Sequence, residues 1–207
     1  KVGQFVEIMN LEEFGNALFI DHEIQVAEKD EKIYSSTFFK SSYNLSKKTN
    51  NVAIIGGGDG GVARECLENN TNYIDWYELD PEIVESCYRH LPKVCSKVKK
   101  SNTVKTFWGD AFESIKSVED SKYDKIFVDL NDDQYCIDLA RKNMKGLKRI
   151  LKPGGVITAQ VGSMDKKPKQ VDNWCKVLGK SFGNVTVSGN HIPSFDCNWN
   201  FASSVMK

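Results

Sequence analysis

The sequence predicts an α/β fold: a Rossmann-like, doubly wound, mostly parallel sheet with a small N-terminal β appendage. From residue 51 onward, short apolar runs alternate with helical patterns, which is typical of a parallel sheet covered by helices. The run at residues 51–55 is almost continuously apolar, as strands buried on both faces are, and a glycine-rich segment follows it directly. Residues 4–27 instead alternate between apolar and polar, which predicts antiparallel strands.

The predicted elements can be assigned in order along the chain. In the appendage, the alternation is interrupted near Gly15, and a further strand-like segment covers residues 23–26. A helix over residues 31–43 connects the appendage to the main domain, so we place a domain boundary between residues 1–43 and 44–207. The predicted strands of the main domain cover residues 51–55, 73–77, 104–108, 124–128, 155–159, 184–191 and 199–205. The predicted helices cover residues 61–69, 81–91, 111–117, 134–151 and 169–182.

Composition and charge exclude several classes of function. The 207 residues include 28 Lys and Arg against 28 Asp and Glu, giving a formal net charge of zero. Binding to nucleic acid or to an anionic membrane requires clustered positive charge, and the basic clusters at 97–100 and 166–169 are interpreted as solvated loop charge. No apolar run approaches the roughly 20 residues that span a bilayer. We therefore expect neither nucleic acid nor a membrane as a partner.

The six cysteines lie far apart, with no C-x-x-C pair and no zinc-site spacing. Several fall in apolar patterns, where a thiol packs as a small hydrophobic group. Reduced thiols predict a cytoplasmic protein, and we expect no bound metal. Trp174 and Trp199 are predicted to pack in the core or against helices. The sequence begins at Lys1 without an initiator methionine or a signal-peptide pattern, so we expect it to be part of a longer product.

The glycine-rich segment at residues 56–61 lies between the first main-domain strand and its helix. Glycines there permit a tight turn and close approach of a ligand to the N-terminus of the following helix. Glu78 ends the next strand, 20 residues after Gly58, where a carboxylate can accept hydrogen bonds from both ribose hydroxyls. The pattern predicts a nucleoside site; a crowded turn without a ligand is the alternative.

Asp59 lies within this glycine-rich segment and argues against a pyrophosphate ligand, which it would repel. An acidic side chain suits a cationic group, such as an adenosyl sulfonium or an aminopropyl ammonium. Asp110 follows the third strand and can accept a hydrogen bond from the exocyclic amine of adenine. It can also cap the helix that begins at Ala111, and the two roles can coexist.

Three blocks of residues resemble the polyamine aminopropyltransferases, the spermidine synthase family. They are G-G-G-D-G-G-V-A-R-E at 56–65, Y-E-L-D at 77–80 and G-D at 109–110. Similarity extends from G-N-A-L-F-I-D at 15–21 to I-P at 192–193, but does not include the family's first hairpin strands or its C-terminal segment. The resemblance implies transfer of an aminopropyl group from decarboxylated S-adenosylmethionine to a diamine such as putrescine, with methylthioadenosine released. It also implies a homodimer or tetramer without a permanently bound cofactor.

The resemblance implies roles for individual residues. Asp129, which ends the fourth strand, stands at the position of the catalytic base and would also contact the amine. Asp59 would hold the aminopropyl ammonium, and Glu78 the ribose hydroxyls. The other implied donor contacts are Gln25, Ser35, Gly56, Gly58, Asp110 and Ala111. The other implied acceptor contacts are Tyr34, Asp132 and Phe195.

The chemistry of the reaction agrees with a base at Asp129. An alkylamine attacks carbon only when unprotonated, yet its pKa is ~10.4, so it is mostly protonated at neutral pH. A carboxylate at the carboxyl edge of the sheet can accept the proton and orient the nucleophile. The alternative for Asp129 is a solvated residue that caps the following loop.

Three departures from the family pattern stand out, two on the acceptor side and one, at Ser35, at a position that helps hold the donor. The family's D-S-S-D-P loop reads D-L-N-D-D at 129–133, Ser35 stands where the family has Gln or His, and Phe195 replaces a tyrosine. The identity of the amine is therefore open. Two other functions also remain open. One is an S-adenosylmethionine-dependent N-methyltransferase, whose donor carboxylate would lie unfavourably near Asp59. The other is a catalytically weak, nucleoside-binding paralogue that regulates a partner subunit.

Overall fold

The computed structural model describes residues 4–207 and contains two sheets. The smaller sheet is antiparallel and consists of β1 (Val6–Leu11), β2 (Gly15–Ile20) and β3 (Glu23–Ala27) in that order. The predicted β appendage is therefore confirmed. Residues 1–3, which the prediction included in this region, lie outside the described residues.

The larger sheet has seven strands and carries the site. They are β4 (Asn51–Gly56), β5 (Tyr73–Glu78), β6 (Val104–Trp108), β7 (Tyr123–Asp129), β8 (Leu151–Gly162), β9 (Thr186–Ile192) and β10 (Cys197–Val205). Their order is β6-β5-β4-β7-β8-β10-β9, in which the first five are parallel and β10 runs antiparallel to both neighbours. The predicted doubly wound sheet is confirmed. The strand order reverses at β4, and ligands of such sheets bind at the carboxyl ends of the strands on either side of the reversal.

Seven α-helices connect or cover the strands in the described chain. They are α1 (Glu31–Tyr43), α2 (Gly61–Glu68), α3 (Pro81–His90), α4 (Pro92–Lys99), α5 (Ala111–Ser114), α6 (Gln134–Ile150) and α7 (Pro168–Phe182). Within residues 4–207, no helix combines the length and the apolar character needed to cross a membrane.

Two local predictions were wrong. Helix α4 was missed, because Pro92 reads as a helix stop although proline is favoured at the first position of a helix. Lys97 therefore lies on a helix and contacts Glu68, rather than standing in a loop. The helix predicted to end at residue 151 ends at Ile150, because Leu151 already pairs with β7 and begins β8.

Helix α1 packs on one face of the larger sheet. The ring of Phe38 stacks on Phe201 of β10 at 4.6 Å and meets Phe127 of β7 edge-on at 5.3 Å. Helices α6 and α7 contribute to the core that includes Trp174, which is fully buried as predicted. The boundary between residues 43 and 44 remains a proposal. The packing of α1 fixes Tyr34, on the preceding turn of the same helix, above the edge of the sheet.

Candidate active site

A cavity of about 290 Å³ opens at the carboxyl ends of β4, β5 and β7. All but one of the residues predicted for the site border it: Gln25, Tyr34, Gly56, Gly58, Asp59, Glu78, Asp110, Ala111, Asp129, Asp132 and Phe195. The exception is Ser35, which borders a smaller adjoining cavity together with Asp59. The structure thus brings together residues that are up to 170 positions apart (195 − 25). Their individual roles remain predictions.

The glycine-rich turn lets its backbone pass close to two acidic side chains. A Cβ atom on Gly57, where φ is +70°, would lie 2.8 Å from Oδ2 of Asp129. A Cβ atom on Gly58 would lie 2.8 Å from Ile83 and 3.3 Å from Oε2 of Glu78. Glycine is required here because a side chain would displace the carboxylates that border the cavity.

Three carboxylates at one end of the cavity are oriented by backbone N–H groups one or two residues further along the chain. Oδ1 of Asp59 accepts a hydrogen bond from the N–H two residues on, at 2.7 Å. Oε1 of Glu78 accepts from the next two N–H groups, at 2.7 and 3.1 Å. Oδ1 of Asp110 accepts from the N–H two residues on, at 2.8 Å, which confirms that this residue caps α5. We call this part, with the glycine-rich turn, the donor end.

A buried ion-pair network lies behind Asp59. Arg64 pairs with both Glu31 and Glu65, and all three side chains are less than a tenth exposed. The hydroxyl of Ser35 donates to Oε2 of Glu31 at 3.2 Å. The short side chain of Ser35 is therefore engaged beneath the main cavity, not at its surface, and reaches the site only through the small cavity beside Asp59.

Burial raises the pKa of the clustered carboxyl groups. The pKa of Asp129 rises to about 7, first through desolvation and then through repulsion from Asp59 and Glu78. Desolvation likewise raises the pKa of Glu78 to about 7 and that of Asp59 to about 6. A bound cation would lower these pKa values, because it favours the charged form of each group. The cluster is therefore suited to a positively charged ligand.

The other end of the cavity, which we call the acceptor end, is built around Asp129. The hydroxyl of Tyr34 donates to Oδ1 of Asp129 at 2.6 Å. Desolvation, with the charge of Asp129 second, raises the pKa of Tyr34 well above its usual value, so the hydroxyl keeps its proton and stays a donor. Phe195 packs edge-on against Tyr34 at 6.1 Å. The turn that carries Phe195 is fixed to the start of α1 by Asp30, whose carboxylate accepts a hydrogen bond from the N–H of Ser194 at 2.7 Å.

Two residues of the acceptor end were missed from the sequence. Gln160, near the end of β8, donates to the carbonyl of Leu130 and accepts from Nε1 of Trp199 at 3.2 Å. Trp199 packs against the core, as predicted, but it also borders the cavity, which was not predicted. The position of Gln160 at the carboxyl end of a parallel strand was an available signal. Trp199 had no comparable signal in the sequence. It lies near the start of β10, and because β10 runs antiparallel to β8, its start lies at the carboxyl end of β8.

Asp132 lies at the acceptor end and is 6% exposed. Lys167, which the sequence placed in a solvated basic cluster, pairs with it, with Nζ 3.2 Å from Oδ2. Among residues 4–207, no group of three or more His, Cys, Asp or Glu side chains is arranged to hold a metal ion.

Comparison with known proteins identifies relatives along nearly the whole chain. A polyamine aminopropyltransferase of Korarchaeum cryptofilum is 29% identical over 202 residues, covering 97% of this chain and 63% of the relative. One of Prochlorococcus marinus (strain NATL1A) is 31% identical over 210 residues, covering 97% of this chain and 72% of the relative. The chain thus spans less than two thirds of the first of these relatives.

Solved structures show the same fold. A spermidine synthase in complex with the transition-state analogue AdoDATO superposes with a TM-score of 0.92 at 19% identity, over all of this chain and 72% of the other. Spermidine synthase from Thermotoga maritima gives a TM-score of 0.91 at 19% identity, over all of this chain and 71% of the other.

A family model also matches most of the sequence. The model described as the spermine/spermidine synthase domain matches residues 31–207. This match and the relative at 31% identity confirm the resemblance inferred from the glycine-rich block and the two acidic blocks after it. This chain belongs to the spermine/spermidine synthase family of enzymes.

Proposed function

We propose that this chain transfers an aminopropyl group from decarboxylated S-adenosylmethionine to an amine such as putrescine, releasing methylthioadenosine. The observation that carries the proposal is the cluster of Asp59, Glu78 and Asp129 around one cavity, each with a raised pKa. The aminopropyl donor and the amine acceptor of this reaction are both cations, and either would offset the repulsion among these carboxyl groups. Two relatives named polyamine aminopropyltransferase support the same activity.

The donor end fits an adenosyl sulfonium compound. We assign Glu78 to the ribose hydroxyls, and Asp110 with Ala111 to the adenine. Asp59 then faces the aminopropyl ammonium, while Gly56 and Gly58 let the backbone approach the nucleoside and Gln25 closes it from β3. S-adenosylmethionine carries a carboxylate on the same arm, and repulsion from Asp59 disfavours it. This argument ranks the N-methyltransferase alternative below aminopropyl transfer.

The acceptor end supplies the base. The amine nitrogen attacks the aminopropyl carbon next to the sulfonium, a C–N bond forms, and the C–S bond breaks to leave a neutral thioether. In the empty site burial raises the pKa of Asp129 to about 7. The bound cations lower that pKa and keep the group ionised, so the proton lost by the amine passes to the Asp129 carboxylate. The hydroxyl of Tyr34 holds Oδ1 of Asp129 and so orients the carboxylate.

Calorimetry and a product assay test this proposal together. We expect decarboxylated S-adenosylmethionine and methylthioadenosine to bind more tightly than S-adenosylmethionine, and putrescine to release methylthioadenosine from the decarboxylated donor. Tightest binding of S-adenosylmethionine would refute the assignment of Asp59. Nucleoside binding without methylthioadenosine release with putrescine, cadaverine or spermidine would favour the regulatory paralogue instead.

We also propose that the protein works in a reducing compartment, the cytoplasm, as a homodimer or tetramer. The six free cysteines of the chain, four of them buried, support the first part. The family resemblance supports the second. Light scattering during size-exclusion chromatography measures the mass in solution, and a monomeric mass at micromolar concentration would contradict the oligomer.

A further inference from the structure

Lys167 lies beside the acceptor end, where the loop after β8 enters α7. Its Nζ is 3.2 Å from Oδ2 of Asp132 and hydrogen bonds Oδ1 at 3.5 Å. Asp132 borders the cavity, whereas Lys167 does not. The ammonium therefore reaches the carboxylate from outside the cavity and leaves the cavity itself open to a substrate.

The geometry of this ion pair is set by the backbone around it. A Cβ atom on Gly162, where φ is +86°, would lie 2.7 Å from Oδ2 of Asp132, so glycine makes room for the carboxylate at the end of β8. The N–H of Lys167 donates to the carbonyl of Ser163 at 2.8 Å, and its own carbonyl accepts from Gln170 at 3.0 Å. Lys167 is thus held at the start of α7, and its side chain can be changed without altering these backbone bonds.

A further carboxylate, Glu23, borders the cavity near Asp132; its Oε1 lies 3.9 Å from Nζ of Lys167, so the same ammonium and the surrounding water screen its charge. The remaining polar groups near Asp132 are already occupied by the protein. The amide of Gln160 is used by Leu130 and Trp199, and Phe195 has no polar atom in its side chain. Asp129, with Tyr34, is then the carboxylate left to attract the amine at this end. One free carboxylate can hold one charged nitrogen, which is the nitrogen that reacts.

We propose that Lys167 determines acceptor specificity by neutralising Asp132, so that the acceptor end has little affinity for a second ammonium group. The inference rests on the proposed aminopropyl transfer. A diamine then gains little over a monoamine of the same length, because the charge that would attract its far end is cancelled. Replacing Lys167 with a neutral side chain frees that charge.

Putrescine and n-butylamine test this inference, because they share a four-carbon chain and differ in the second ammonium. In the wild-type protein we expect KM values for the two amines within about threefold of each other. In Lys167→Met, KM for putrescine should fall roughly three- to tenfold, as for a partly exposed ion pair, while kcat and the KM for n-butylamine stay unchanged. Lys167→Arg keeps the charge and should behave as wild type. Lys169→Met, an exposed lysine on the same helix, is the matched control.

Direct binding separates this inference from the proposed function. Putrescine titrated into the methylthioadenosine complex should bind more tightly to Lys167→Met than to wild type. If neither protein releases methylthioadenosine but the variant binds putrescine more tightly, the proposed function fails and the role of Lys167 stands. An unchanged or weaker putrescine affinity in Lys167→Met, in a protein that still binds methylthioadenosine, overturns the inference. A second result would also overturn the inference. It is a wild-type KM for putrescine more than tenfold below that for n-butylamine, with no larger ratio in Lys167→Met.

Discussion

The donor and acceptor ends of the cavity hold their carboxylates in different ways. At the donor end, Asp59, Glu78 and Asp110 are each oriented by backbone N–H groups within three residues of themselves. At the acceptor end, Asp129 is held by a hydroxyl 95 residues away in the sequence, and Asp132 by an ammonium 35 residues away. One end is built from local turns and the other from tertiary packing.

This difference explains why the two ends of the cavity depart from the family pattern to different degrees. A local turn keeps its geometry as long as its own few residues are kept, since the backbone supplies the hydrogen bonds. A pair of distant side chains depends on two segments at once, and either can change. The change at Phe195 and the altered loop at 129–133 lie in segments joined by such distant contacts, whereas the change at Ser35 lies beside Asp59 and its hydroxyl bonds Glu31 four residues away.

The largest effect is expected from Asp129→Asn at the acceptor end. The amide still accepts the hydrogen bond from Tyr34 but cannot take the proton of the amine, so kcat should fall by roughly 10² to 10⁴. Affinity for methylthioadenosine should stay at the wild-type value, because the donor end is unchanged. Single-turnover release of methylthioadenosine and calorimetry measure the two quantities.

Asp133→Asn is the matched control for that experiment. Asp133 caps α6 by accepting from the N–H of Cys136 at 2.7 Å, and asparagine caps helices equally well. It does not border the cavity, so turnover should be retained. Normal turnover in Asp129→Asn would remove Asp129 from the role of base and place the proton acceptor elsewhere.

A smaller effect, on nucleoside affinity rather than on kcat, is expected from Glu78→Gln at the donor end. The glutamine carbonyl can keep both backbone hydrogen bonds, but the amide facing the cavity donates where the carboxylate accepted from ribose hydroxyls. Affinity for methylthioadenosine should fall about 10- to 100-fold, with kcat at saturating donor retained. Titration at pH 8, where Glu78 is ionised, measures the loss, and Glu82→Gln on the exposed surface of α3 is the control. Equal affinity in the two variants would contradict ribose binding by Glu78.

The same contrast between local and distant contacts limits what the sequence could predict. The parallel strands were recognisable because each is a compact apolar run, and Asp59 and Glu78 because each lies at a fixed offset from its own strand. Lys167 and Trp199 could not be assigned to the site, since nothing near them in sequence indicates that α7 and β10 begin at the same edge of the sheet. Helix α4 was missed for a local reason, because Pro92 can either start or stop a helix.

The raised pKa values make the stability of the empty site depend on pH. The pKa of Asp129 is about 7 in the folded protein and about 4 in an unfolded chain, so the folded state binds the proton more strongly. Its contribution to the free energy of unfolding is fully present below pH 4 and is lost as the pH rises through 7. Glu78, with a pKa of about 7, contributes in the same direction.

The smallest predicted effect is therefore a change in how Tm varies with pH. Between pH 5 and pH 8, the Tm of Asp129→Asn should fall less than that of wild type, by about 2–4 °C for each 1 kcal/mol of lost linkage. Glu78→Gln should flatten the curve in the same sense, because both carboxyl groups are desolvated and both are repelled by Asp59. Thermal unfolding of the ligand-free proteins in one buffer series measures this difference. Parallel curves for wild type and Asp129→Asn would mean that Asp129 titrates like an exposed carboxylate. The acceptor end would then lack the carboxyl group of raised pKa on which the proposed proton transfer depends, whatever the curve of Glu78→Gln shows.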